Sequence, residues 1–157
     1  MSKLIKYLEQ LKAQDERGIL ADLRNGIKKT QSHRAWPHLA YFNGIGESHN
    51  ARVVQTVAAL FAHHPEISEE GNMGNTCYNL MSDDERNKRL DVKEMGPISR
   101  RFQHLLSSSR DEICDRVIRL VLHAKTQNIP INYRRLKQDL EYWSDSVKTA
   151  WAKQFWK

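Results

Sequence analysis

The sequence has few thiols, few turn-forming residues and no long apolar run, and each scarcity removes a class of protein. Its two cysteines, Cys77 and Cys114, lie far apart with no second pair, so neither a disulfide framework nor a zinc ribbon is indicated. Such cysteine usage fits a reducing, cytoplasmic setting. No stretch approaches the roughly 18 uninterrupted apolar residues of a membrane-spanning helix, and the opening MSKLIKYLEQLKAQDE alternates charge with apolar residues, unlike a secretory leader. Sustained period-two alternation of Val, Ile and Thr between turn signals is missing, which argues against a sheet. There is no GK[ST] phosphate loop, no G-x-S-x-G elbow and no G-x-G-x-x-G turn. Nucleotide hydrolysis, acyl transfer and dinucleotide redox chemistry therefore have no motif to rest on.

What is present is a chain of 157 residues, 39% hydrophobic and 28% charged, which fits one domain or two small lobes sharing an interface. Lys and Arg total 25 against 19 Asp and Glu, a formal net charge of +6 that favours polyanionic partners. Charge alone does not choose between a nucleic-acid binder and an ordinary basic helical protein.

Apolar residues recur at helical spacing almost throughout, predicting an all-α fold: a two-lobed bundle of about eight helices. Leu4, Leu8 and Leu11 mark a first helix, and Ile19, Leu20, Leu23 and Ile27 a second after Gly18 interrupts the pattern. Residues 28–46 mix Pro37, Gly44 and Gly46 with Trp36, Tyr41 and Phe42, which reads as a packed connection whose aromatics cover the core. Ser48 can cap a helix bearing Val53, Val54, Val57, Leu60 and Phe61. The pattern weakens from Pro65 to Pro97, where SDDERNKR reads as a solvated loop, so the chain divides into an N-terminal lobe, 1–92, and a C-terminal lobe, 93–157. Pro97 suits the first turn of a helix with Ile98, Phe102, Leu105 and Leu106. Ser109 and Glu112 have capping-box spacing, Asn132 can cap the next helix, and Ser144 or Ser146 the last. Trp143, Trp151 and Phe155 follow core spacing rather than that of exposed stacking platforms.

The arginines carry the chemical signal. Arg110, Arg116 and Arg119 fall outside the apolar stripe of their helix, Arg100 and Arg101 open the one before, and Arg134, Arg135 and Lys137 lie on the one after. A guanidinium stays charged and offers phosphate a planar fork of donors, giving affinity without reading sequence. The competing account is a solvated face on which Arg110, Arg116 and Arg119 pair with Asp111, Glu112 and Asp115. A second cationic set comprises Arg17, Arg24, Lys28, Lys29 and Arg34, while Arg52 stands alone on the polar side of its helix.

Enzyme chemistry has little support. The adjacent His63 and His64 point in different directions on a helix and form no paired ligand motif with Cys77, so no metal site is expected. Asp83, Asp84 and Glu85 have no apparent scaffold for a metal-dependent nuclease. The expectation is no catalytic residue, no cofactor and no small-molecule substrate.

Two long strings, ISRRFQHLLSSSRDEICDRVIRLVLHAKTQNIPINYRRLKQDLEYW and VKTAWAKQFW, resemble the CasB family, the small subunit of type I-E CRISPR Cascade surveillance complexes. GILADLRNGI and ESHNARVVQTVAALFA resemble that family's early Leu-Arg string and central helix. The resemblance implies a two-lobed helical subunit, present as a head-to-tail pair with a second copy of itself beside other Cascade subunits. It further implies contact with CRISPR RNA and target DNA. The pair would support the guide–target duplex and give the displaced strand of the R-loop a basic path, with cleavage left to another protein. Matched position by position, the family's basic contacts fall on Arg24, Arg52, Arg101, Arg110 and Arg119. The chain departs from the family at Asn25, and at Asp145 and Ser146, where basic residues are common; Lys148 is one turn from the latter. Two other readings stand beside this one: a helical adaptor for acidic protein partners, and a helix-turn-helix regulator. The regulator is disfavoured because AKTQNIPIN exceeds that motif's usual turn of about 3–4 residues.

Overall fold

The computed structural model describes residues 2–157. These form ten α-helices and four short 3-10 turns and no β-strand; extended backbone pairs at an isolated parallel bridge between Ile67 and Ile131. The number exceeds the eight expected because two short segments close into helices of their own.

The first helix, α1 (Lys3–Ala13), starts where the Ser2 hydroxyl accepts the Ile5 N–H at 3.4 Å, and it buries Leu4, Ile5, Leu8 and Leu11. The expected break at Gly18 falls instead at residues 14–16, where Asp15 takes a left-handed φ of 53°. Gly18 lies inside α2 (Arg17–Arg24). Residues 25–47 wind through 3-10 turns and the single turn α3 (Trp36–Leu39). Trp36 and Phe42 are partly buried, but Tyr41 is 76% exposed, correcting the expectation that all the aromatics here cover the core.

Ser48 caps α4 (His49–His63), accepting the Ala51 N–H at 3.2 Å. Residues 53–62 of α4 are buried without a break, so this helix has no solvent face along most of its length. A helix apolar all round must be surrounded, and α1, α2, α8 and α9 pack around it. One polar member of that run, Gln55, donates to the Gly44 and Gly46 carbonyls at 2.9 Å each, which satisfies its amide and pins the preceding connection.

Asn72 opens α5 (Met73–Leu80) with a capping box: its side chain accepts the Gly74 N–H at 2.8 Å and its own N–H donates to Asn75 Oδ1 at 2.9 Å. The charged run expected to be a loop forms α6 (Asp83–Asn87), capped by Ser82. Glu85 turns inward, is buried, and accepts the Ser99 N–H at 2.8 Å. It thereby caps α7 (Pro97–Leu106), whose own N-cap, Gly96, has no side chain to do so. A Cβ on Gly96 would lie 2.4 Å from Glu85 Cδ, so the glycine makes room for the borrowed cap.

The helices α8 (Arg110–Thr126), α9 (Tyr133–Glu141) and α10 (Asp145–Phe155) start at the expected caps, Ser109, Asn132 and Ser144. Trp143, Trp151 and Phe155 are buried. Both of their indole N–H groups find acceptors: Trp143 Nε1 donates to Ser108 O at 2.8 Å, and Trp151 Nε1 to Asp139 Oδ2 at 2.7 Å.

Candidate nucleic-acid interface

Two basic concavities flank α8. The first, about 450 Å³, runs between α7 and α8 and is lined by Arg100, Arg101 and His104 from one helix and Arg116, Arg119 and Leu120 from the other. No carboxylate lines it. Residues three or four apart share a helix face, so the apolar stripes that bury Phe102 and Leu105 of α7, and Val117 and Val121 of α8, leave these cations along the seam.

Arg116 is held in place: its guanidinium donates to His104 O at 3.2 Å, Ser108 Oγ at 3.0 Å and Glu112 Oε2 at 2.6 Å. The N–H and hydroxyl of Ser109, with help from Arg116, keep the Glu112 carboxyl below its ordinary pKa. This pair matches the solvated-face account for one arginine of α8. Among the described residues, Arg100, Arg101, Arg110 and Arg119 have no acidic partner within 4.0 Å. Arg101 Nη1 lies 3.5 Å from His123 Nδ1, one turn beyond Arg119.

The second concavity, about 500 Å³, opens between the first turns of α4 and α8 and the connection from Lys29 to Glu47. Arg52 and Arg110 line it together, joined by Lys29, His33 and His49. Unlike the groove, it also contains carboxylates, those of Glu47, Asp111 and Asp115. Asp115 Oδ1 takes Arg52 Nη2 at 2.7 Å.

Arg24 belongs to neither concavity. At the end of α2 its Nε donates to Ala62 O at 3.2 Å, beside His63. There burial first, then the charges of Lys125, Arg24 and Lys28, lower the His63 pKa below its usual value. The cations of α9 are spent on ion pairs: Arg134 with the distant Glu9 at 3.0 Å, and within the helix Arg135 with Asp139 at 2.9 Å and Lys137 with Glu141. The cationic concentration expected along three helices thus narrows to α7 and α8. Lys148 lies 5.5 Å from the centre of the Trp143 ring.

The five arginines singled out in the sequence therefore divide into two pairs, Arg52 with Arg110 and Arg101 with Arg119, and one separate member. His104 and His123 escaped that reading although helical spacing from Arg100, Arg101 and Arg119 places them beside the groove. His33 and His49 had no such signal, and Lys29 was marked only as one of a second cationic set; packing alone brings the three to Arg52 and Arg110. Among the described residues no group of three or more His, Cys, Asp or Glu is arranged to hold a metal ion, and no helix is long and apolar enough to cross a membrane.

The fold is that of two crystal structures from Thermus thermophilus. One is CasB, with a TM-score of 0.72 at 21% identity over 99% of each chain. The other is a CRISPR-associated protein of the Cse2 family, with a TM-score of 0.75 at 21% identity and the same coverage. A comparison with curated protein sequences gives no match. The family model for CRISPR-associated protein Cse2 matches residues 19–156, which is most of the chain and takes in every residue lining the two concavities, so the chain belongs to the Cse2 family.

Proposed function

We propose that this chain is a non-catalytic, nucleic-acid-binding small subunit of a CRISPR RNA-guided DNA surveillance complex. In this reading it supports the guide–target duplex and stabilises the displaced strand of the R-loop through a basic surface. Family membership supports a place among CRISPR-associated subunits. The observation that carries the nucleic-acid part is the α7/α8 groove, where four arginines converge and no carboxylate enters the lining. Cations packed along one seam repel one another, and a polyanion that neutralises them releases its own counterions in the process. Guide–target pairing supplies sequence specificity in such complexes, so a subunit that only holds backbone needs forks for phosphate and no base-reading surface.

Arg101 and Arg119 form the principal contact in this reading, Arg52 and Arg110 a second one, and Arg24 an outlying one. CRISPR RNA, target DNA, other Cascade subunits and a second copy of this chain are the proposed partners.

The test is a titration of the purified full chain against labelled, unrelated single- and double-stranded DNA across a salt series. Wild type is compared with Arg101→Ala/Arg119→Ala and with Arg52→Ala/Arg110→Ala. Binding indifferent to sequence is expected, weakening steeply with salt. The Arg101→Ala/Arg119→Ala change should flatten the slope of log affinity against log salt by about two, roughly one for each phosphate that a guanidinium no longer holds. Absence of binding at low salt, or binding that ignores salt, would replace this reading with an adaptor for acidic proteins.

A further inference from the structure

Each concavity holds one arginine paired with a carboxylate, but only in the α4/α8 cleft does that carboxylate itself line the cavity. Arg52 Nη2 meets Asp115 Oδ1 at 2.7 Å, with the two side chains 26% and 51% exposed. Arg52 lies in the first turn of α4 and Asp115 in the second turn of α8, so the pair spans two helices and the mouth between them. Helix geometry does not impose such a contact, as it does for the pair of Arg116 with Glu112 four residues away. Both partners line the cleft, and Arg110, which has no acidic partner among the described residues, lines it too. Anything anionic that enters meets one open guanidinium and one occupied by a carboxylate.

A carboxylate and a backbone phosphate offer the same thing to a guanidinium: charged oxygens spaced for its planar fork. They compete for it directly. We propose that Asp115 is an intramolecular competitor for Arg52, so that the α4/α8 cleft accepts a nucleic-acid phosphate at Arg52 only by exchanging it for this carboxylate, while the α7/α8 groove offers Arg100, Arg101 and Arg119 without such an exchange. The inference rests on the nucleic-acid reading and adds an order of engagement to it. The open groove binds first. Its tethering effect raises the local phosphate concentration at the cleft, and the exchange at Arg52 follows. Because the pair is partly exposed, it is weak enough to be exchanged and strong enough to discourage stray anions.

The experiment is a double-mutant cycle on the full chain, with single-stranded DNA of unrelated sequence as probe: wild type, Asp115→Asn, Arg52→Ala and the double variant, each across a salt series. Asparagine keeps the size of the side chain and removes its charge. Asp115→Asn is expected to tighten binding about three- to fivefold at low salt, the range an exposed pair can contribute, and to steepen the salt slope by about one. In the Arg52→Ala background the same change should leave affinity and slope nearly unaltered, because the fork it frees is gone. An equal gain in that background overturns the proposal, since Asp115 would then act as bulk negative charge. So does the absence of any gain in an Asp115→Asn chain whose circular dichroism and melting match wild type, with Asp115→Ala as a second variant should Asn disturb the cleft. Binding by wild type without the predicted gain sinks the competitor alone; no binding by any of the four chains sinks the nucleic-acid reading and the competitor together.

Discussion

His63 ends the central helix among cations, and its surroundings set a pH dependence. Burial and the nearby charges of Lys125, Arg24 and Lys28 favour its neutral form in the folded chain, so its folded pKa lies below the unfolded value. Between those two values the unfolded chain binds the extra proton, and stability rises with pH. His63's contribution is therefore fully present above about pH 6.5, the ordinary histidine value, and is lost as pH falls through the folded pKa. The thermal midpoint of the wild-type chain should drop on acidification through that range, and the drop should be smaller in His63→Gln. An equal drop in both chains would remove His63 from the account. Glu85 shows a related effect at the same scale: in the sequence it is one charge in a hydrophilic run, while in the fold it is the buried cap of α7. Nothing local distinguishes it from Asp83 or Asp84, because its partner, Ser99, is supplied by another helix.

At the scale of elements, the helix boundaries were largely legible because caps are local chemistry. The Ser109–Glu112 box, Pro97 in a first turn, and the Asn132 and Ser48 caps each satisfy backbone groups within a few residues, so the sequence displays both partners. Close approach between helices is less visible. Gly74 reads as one of several glycines in a weak region, yet a Cβ there would lie 2.0 Å from the Trp151 carbonyl oxygen, and that absence lets α5 settle against α10. Gly74→Ala, an excellent change for an isolated helix, should destabilise the protein by about 1–3 kcal/mol because the two helices must separate. Urea unfolding followed by circular dichroism measures it; a midpoint at or above wild type would mean that α10 shifts freely.

For the whole molecule, the expected division at residues 92 and 93 makes a cooperativity prediction. The buried residues form one continuous cluster from Leu4 to Phe155, and α4, which lies in the N-terminal part, packs against both α8 and α9. A helix buried on all sides cannot keep its structure when half its neighbours leave. Unfolding by urea should therefore be a single transition, coincident by far-ultraviolet circular dichroism and tryptophan fluorescence. Two separated transitions would mean that residues 1–92 and 93–157 fold as independent bodies.

The sequence by itself determined the helical class, most helix starts, and which apolar residues face inward. Those properties follow from periodicity and from hydrogen bonds between near neighbours, and a chain carries both along its length. It also marked the arginines as outward-facing, since they sit off the apolar stripes. Which of them meet, and which are already neutralised, was decided only by the tertiary structure. Arg134 and Arg52 look as free in the sequence as Arg101 and Arg119, but Glu9 and Asp115 reach the first two from distant segments. A charge's availability depends on what lies within a few ångströms in space, and separation along the chain says nothing of that distance once helices pack.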